Sequence, residues 1–228
     1  MESVVPVPAT PVVPVLGTAA VFPVRRIYCV GRNYADHARE MGMDPTREPP
    51  FFFGKPHDTV VPGGGDISYP PCTANLHYEV ELVVALGKGG RDIPADEALD
   101  CIYGYAVGLD LTRRDLQAKA KDKGQPWDTA KGFDESAPIT AITPVSTGGH
   151  PGSAAIWLAV NGVEKQRGNV AQMTWSVPEV IAHISRFMAL APGDLIFTGT
   201  PSGVGPIVQG DHVRCGIDGL GELEIRVV

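Results

Sequence analysis

The stretch His77-Tyr-Glu79-Val-Glu81-Leu-Val-Val-Ala-Leu86 sets two carboxylates two residues apart in a run of strand-forming residues. Successive strand residues point to opposite faces, so Glu79 and Glu81 project the same way. A Glu-x-Glu pattern commonly marks a solvent face. Here the same face continues into Val83 and Ala85, while Val80, Leu82, Val84 and Leu86 occupy the other. A strand apolar on both faces is buried, and neighbouring buried carboxylates require a cation. The segment Tyr103-Gly-Tyr-Ala-Val-Gly-Leu-Asp110 supplies a third carboxylate after a lane of tiny side chains, Gly104, Ala106 and Gly108. Alone, Asp110 reads equally as a turn cap. Joined to Glu79 and Glu81 it completes an all-oxygen set. Such hard donors suit Mg²⁺ or Mn²⁺, with Ca²⁺ as the alternative, and leave positions for water and a chelating substrate.

A second pair has the spacing for proton transfer. In Asn33-Tyr-Ala-Asp36-His37-Ala-Arg-Glu40, His37 and Glu40 are three apart and share a helical face. A carboxylate beside an imidazole orients it and raises its basicity, which suits a base that activates water. A surface ion pair gives the same spacing, so this segment alone does not establish catalysis.

These residues need elements to hold them. Residues 25–31 read as a strand, and Asn33 with Asp36 opens a short helix in the manner of a capping box. Residues 45–75, rich in Pro, Gly and Phe, read as connections, with Phe51, Phe52 and Phe53 filling the core or a dimer interface. Two core strands span 77–86 and 102–111. Thr112 with Asp115 predicts the cap of a basic helix that stops at Gly124 and whose charges mostly face solvent. A strand over 155–163 ends in the Asn161-Gly162 turn signal. Ser176 with Glu179 caps a third helix with Val177, Ile181, Ile184 and Met188 on one face. LIFTGT (195–200) reads as a strand feeding a Gly/Pro loop, whose amides would hold a carboxylate or simply make a tight turn. Strands near 212–217 and 222–228 finish the chain. The fold class is therefore α+β, with β-rich mixed sheets and a few short helices.

Composition narrows the function classes. In 228 residues, 43% apolar content allows a full core, while Gly and Pro make up about a fifth of the chain and argue against a helical bundle. A net charge of −7 disfavours nucleic acid as a partner. It leaves an anionic small substrate open. Cys29, Cys72, Cys101 and Cys215 form no zinc pattern and read as reduced and mostly buried. No apolar run is long enough to span a membrane, and the N-terminus lacks the basic start of a signal peptide, so a cytoplasmic location is expected. Residues 1–21 read as a Pro-rich extended arm whose valines lie against an apolar surface, such as a neighbouring subunit; residues 22–228 form one domain.

The stretches CVGRNYADHARE, FFFGKP, HYEVELVVALGK, YAVGLDLTRRDLQ, GQPWDTAKGFD, VNGVEKQRGN, MTWSVPEVI and APGDLIFTGTPSGVG occur in one order over roughly residues 22–228. Together they resemble the fumarylacetoacetate hydrolase family, and most closely its branch that hydrolyses fumarylpyruvate in gentisate degradation, a route of aromatic catabolism. The resemblance implies a β-roll, a homodimer and one divalent metal per subunit, Mg²⁺ foremost. It implies Glu79, Glu81 and Asp110 as metal ligands, His37 and Glu40 as the water-activating dyad on a lid helix, and Lys131 as the active-site lysine. Arg32, Arg114, Gln117 and Thr200 match positions around the 2-oxo acid end of a small dioxo acid substrate. Gly54 departs from the family pattern, where a larger apolar residue is expected. The implied reaction is hydrolysis of a carbon–carbon bond in a 2,4-dioxo acid. Alternatives on the same scaffold are an acylpyruvase, an oxaloacetate decarboxylase, or a dioxo-acid isomerase or hydratase. From a different class, a non-catalytic, metal-stabilised β-domain would explain the three carboxylates but leaves His37, Glu40 and Lys131 without a role.

Overall fold

Every residue of the strand Val80–Leu86 is buried, and both of its faces explain why. Val80, Leu82, Val84 and Leu86 enter one hydrophobic core, while Val83 and Ala85 enter a second on the opposite side. The computed structural model describes residues 3–40 and 48–228. Its largest sheet has eight strands. Six of them run outward in the order Phe51–Lys55, Arg26–Gly31, Asp194–Phe197, Val80–Leu86, Ile102–Leu109 and Ala137–Ile139, followed by Val60–Pro62 at the far edge. The short strand Thr143–Pro144 also pairs with Ile102–Leu109. A five-stranded sheet packs its apolar face into the first core and contains the hairpin Ala155–Val160/Val163–Asn169. Asn161 and Gly162 close that hairpin at φ 51° and 79°, as a type I′ turn requires. The fold is the curled, strand-rich α+β arrangement expected.

The lane of small residues has a packing cause. A Cβ on Gly108 would lie 2.6 Å from both Phe197 and Val83, and one on Gly104 would lie 2.4 Å from the Thr143 carbonyl oxygen. Larger side chains are excluded there because Phe197 and the crossing chain occupy the space.

Two local expectations are corrected. The Phe-rich segment is a strand, Phe51–Lys55, at the edge of the main sheet. Its aromatic run has high strand propensity, and an edge tolerates Gly54 and the following Pro56. The basic helix, Arg114–Lys123, is capped by Arg113 rather than Thr112. Thr112 sits in a short strand against His77, and its hydroxyl donates to the Asp110 carbonyl. The Asp115 carboxylate instead accepts from the Thr73 hydroxyl at 2.6 Å and from the Ala74 and Leu116 amides. Part of the N-terminal arm packs on this chain: Val12–Pro14 pairs with Val21–Pro23, and Val13 and Val15 are buried in the second core, while Val4, Val5 and Val7 are exposed.

The stretch read as connections also holds the strands Val60–Pro62 and Gly65–Ile67, while other elements fall where the pattern puts them. Ser176 and Glu179 form a reciprocal capping box on the helix Val177–Phe187, and Gly124 ends its helix at φ 62°. The four cysteines are free, with Cys72 exposed and the other three buried. Among the described residues no helix is long and apolar enough to cross a membrane. A Gly108→Ala variant is expected to lose about 1–3 kcal/mol by overpacking, read as a lower denaturation midpoint; a shift near zero would show that Phe197 and Val83 yield freely.

Candidate metal centre and active site

Glu79, Glu81 and Asp110 converge because two strands are pinned side by side. Glu79 lies between the strands Leu76–Tyr78 and Val80–Leu86, and its carbonyl accepts the Asp110 amide at 2.9 Å. Glu81 stands opposite Gly108 in the antiparallel ladder. The three carboxylates are 5%, 2% and 1% exposed. Each offers an oxygen within 4.8 Å of the others, a spacing that one hard cation can bridge.

Cations already surround part of this cluster. Lys131, at the end of the helix Asp128–Lys131, donates to Glu79 at 2.7 Å and to Asp110 at 2.6 Å. Lys55 pairs with the other Asp110 oxygen at 2.9 Å and donates to the carbonyls of Leu111 and Lys131. Arg114 pairs with Glu79 and donates to Gln117 at 2.6 Å. Burial works against ionising Glu79, but Lys131, Arg114 and His37 overcome it and hold the carboxyl well below its usual range. Burial likewise opposes the charge on Lys131, yet Asp110 and Glu79 raise its affinity for the proton. Glu81 differs. Burial, then Asp110 and Glu79, push its carboxyl far up, against the Lys131 field and one hydrogen bond from the Gly199 amide at 2.7 Å. No Lys or Arg pairs with Glu81 among the described residues. A divalent cation fits this arrangement: the donors are all oxygen, they converge, and one of them lacks a countercharge.

The cluster forms the floor of a small cleft. Its walls include Arg32, His37, Arg114, Gln117, Lys131 and Thr200, so the structure gathers these predicted residues in one place. His37 projects from the helix Ala35–Glu40 and is buried. The side chain of Glu40 lies outside the described residues, so the proposed dyad is placed through His37 alone. Asn33 anchors the segment that leads into this helix. Its side-chain amide donates to the Trp175 and Thr198 carbonyls, both at 2.9 Å, and its oxygen accepts the Trp175 amide. Gly199, at φ 99°, passes so close to Asn33 that a Cβ would fall 2.8 Å from it. The Gly199 amide is engaged by Glu81, while Gly199 and Thr200 both line the cleft.

Other contributors carried weaker sequence signals. Lys55 hides in the FFFGKP stretch, where the aromatic run dominates the reading. Phe51 and Phe53 line the cleft, with ring centres 5.2 and 5.5 Å from that of Trp127, and Phe53 also packs against the second core. Buried Gln166 accepts the Val80 amide and donates to Thr200 and the Pro201 carbonyl, which fixes the loop over the carboxylates. His77 stands behind Arg114, accepting from its Nε at 3.3 Å, and therefore orients the guanidinium. Lys121 also reaches the cleft, contrary to the reading of its helix as a solvated face.

The family model described as fumarylacetoacetate (FAA) hydrolase C-terminal matches residues 26–228. The chain belongs to the fumarylacetoacetate hydrolase family. Its fold superposes on the crystal structure of fumarylpyruvate hydrolase from Pseudomonas aeruginosa in complex with Mn²⁺ and pyruvate at TM-score 0.98. That protein is 53% identical, with 100% of this chain and 99% of that one covered. A putative fumarylpyruvate hydrolase from Burkholderia cenocepacia is 54% identical, covers 100% and 98%, and gives a TM-score of 0.93. The mitochondrial oxaloacetate tautomerase FAHD1 of Mus musculus is 44% identical over 203 residues, 89% of this chain and 91% of the relative. The mitochondrial oxaloacetate decarboxylase of Dictyostelium discoideum is 46% identical over 197 residues, 86% and 90%. Family membership, the buried acidic triad and the Mn²⁺ of the Pseudomonas protein together indicate a divalent-metal centre.

Two expected outcomes follow from the electrostatics. Mn²⁺ at a hundred times its Kd is expected to stabilise the fold by about 2.7 kcal/mol, and Glu81→Gln to remove that shift in thermal melts; an unaltered shift would place the ion elsewhere. Because Glu81 holds a proton more tightly in the metal-free fold than in an unfolded chain, cation binding displaces it and tightens as pH rises. Calorimetry in buffers of different ionisation enthalpy is expected to register proton release, and a pH-independent affinity would contradict it.

Proposed function

We propose that this protein is a divalent-metal-dependent hydrolase that cleaves fumarylpyruvate into fumarate and pyruvate. The observation that carries the reading is the convergence of three buried carboxylates, His37 and a cationic wall in one small cleft. The 53–54% identity to fumarylpyruvate hydrolases over the whole chain supports this substrate. Glu79, Glu81 and Asp110 would hold the metal, with Mg²⁺ as the working ion. When bound, it supplies Lewis-acid stabilisation for negative charge on the 2-oxo acid portion of the substrate.

The chain's own residues do the rest. Arg114, Gln117 and Thr200 hold the carboxylate and oxo oxygens of the 2-oxo acid end and fix its orientation, and Arg32 lines the same cleft. His37 takes a proton from water, whose oxygen attacks the C4 carbonyl carbon of the substrate. Collapse of the tetrahedral adduct breaks the C3–C4 bond and releases fumarate. The departing electron pair forms the pyruvate enolate, and Lys131, kept cationic by Asp110 and Glu79, stabilises that charge. Protonation at C3 yields pyruvate. Phe51, Phe53 and Trp127 line the walls and limit water around the reacting atoms.

The protein acts as a cytoplasmic homodimer in gentisate-type aromatic catabolism on this reading; four free cysteines suit a reducing compartment. A second reading, tautomerisation or decarboxylation of oxaloacetate, is favoured by the names of relatives 42–46% identical. That chemistry uses the same carboxylates and enolate but no attacking water.

Metal-stripped protein, assayed with and without Mg²⁺ on fumarylpyruvate and on oxaloacetate, separates the two. Mg²⁺-dependent formation of fumarate and pyruvate, much faster than oxaloacetate turnover, is expected; the reverse preference would select the second reading. His37→Ala is expected to lower the hydrolysis rate about 10²- to 10⁴-fold while metal affinity persists. Full activity in that variant would remove His37 from the reaction.

A further inference from the structure

The helix Arg114–Lys123 presents three polar side chains to the cleft at spacings of three and four: Arg114, Gln117 and Lys121. That spacing puts them in a row on one face. Arg114 touches Glu79 and so marks the end of the row next to the carboxylate cluster. Lys121 sits two turns on, its Cα about 10 Å further along the helix axis. Its Nζ lies 5.4 Å from the centre of the Trp127 ring. Trp127 stands edge-to-face on Phe51 at 5.2 Å, and the Arg32 guanidinium lies 4.9 Å from the Phe51 ring centre. Two cations thus rest on one aromatic pair in the wall of the cleft. Neither forms an ion pair among the described residues, although Lys121 is half-buried. Arg32 also holds φ 62°, a conformation that L-residues other than Asn and Asp seldom adopt.

The geometry points to Lys121, with Arg32 beside it on the Phe51–Trp127 pair, as the subsite for the distal carboxylate of a long dicarboxylic dioxo acid. This rests on the hydrolase reading above and adds to it a basis for choosing the acyl group. Burial and the neighbouring Arg114 and Arg32 charges lower the proton affinity of Lys121. An anion arriving there relieves repulsion among three cations, so charge complementarity favours a substrate with a second negative end over one with an apolar tail. The aromatic edges beneath are flat and apolar, matched to a conjugated carbon chain between the two carboxylates.

The test compares fumarylpyruvate with acetylpyruvate, which ends in a methyl group, on the Mn²⁺-loaded enzyme. The ratio of the two kcat/KM values is measured in wild type, Lys121→Met and Lys121→Arg. The ratio is expected to fall about 10- to 100-fold in Lys121→Met, as loss of a charge-assisted contact does, and to recover largely in Lys121→Arg. A ratio that stays constant in Lys121→Met overturns the subsite while the hydrolase reading stands. If neither dioxo acid is cleaved, the hydrolase reading fails, and the subsite is decided by calorimetry with fumarate and the monoanion crotonate. A preference for fumarate that Lys121→Met abolishes supports it, and equal binding of the two overturns it.

Discussion

Everything around the cleft answers to one electrostatic constraint: three carboxylates are held side by side in the interior of a sheet. Glu79, Glu81 and Asp110 are each at most 5% exposed, and like charges at that separation cannot all be ionised without compensation. Lys131 and Lys55 neutralise Asp110, and Lys131 and Arg114 neutralise Glu79. Glu81 is left with an amide. What the cluster lacks is a cation in contact with Glu81, and a divalent ion held between the three carboxylates supplies it.

The surrounding architecture serves to keep that cluster in place. The ladder from Val80–Leu86 to Ile102–Leu109 fixes the spacing between Glu81 and the turn that carries Asp110. Gly108 is small because Phe197 and Val83 fill the space beside it, so the strand bearing the carboxylates is packed tightly on its apolar side. Gln166 spans from the Val80 amide to Thr200 and Pro201, and Asn33, just before the helix Ala35–Glu40, bonds the Thr198 carbonyl. Each of these links joins residues distant in sequence, and each ends within one or two residues of a group that lines the cleft.

Much of this is legible from residue order alone, for a physical reason. A strand with valine, leucine and alanine on both faces is buried, and two glutamates in it therefore require a partner. The capping box at Ser176 and the Asn161-Gly162 turn are local, so their geometry follows from adjacent residues. What escaped the sequence is what depends on tertiary neighbours. Phe51 and Phe53 read as connection or core because nothing local says that they face a cleft. Lys121 reads as one more charge on a basic helix until Trp127, six residues on, folds back beneath it. Lys55 and Gln166 lack any pattern of their own, since their roles come from chain segments up to 86 residues away. The Thr112 cap failed because strand pairing with His77 took the residue first.

The central claim is that Glu79, Glu81 and Asp110 together hold one divalent ion on the floor of the cleft that His37 overlooks. Anomalous diffraction at the manganese edge, from crystals of the protein soaked in Mn²⁺, tests it directly. The expected map has one strong peak per chain, bonded to an oxygen from each of the three carboxylates, with Lys131 and Lys55 still against Asp110. A peak that misses Glu81, or lies outside the cleft, would contradict it.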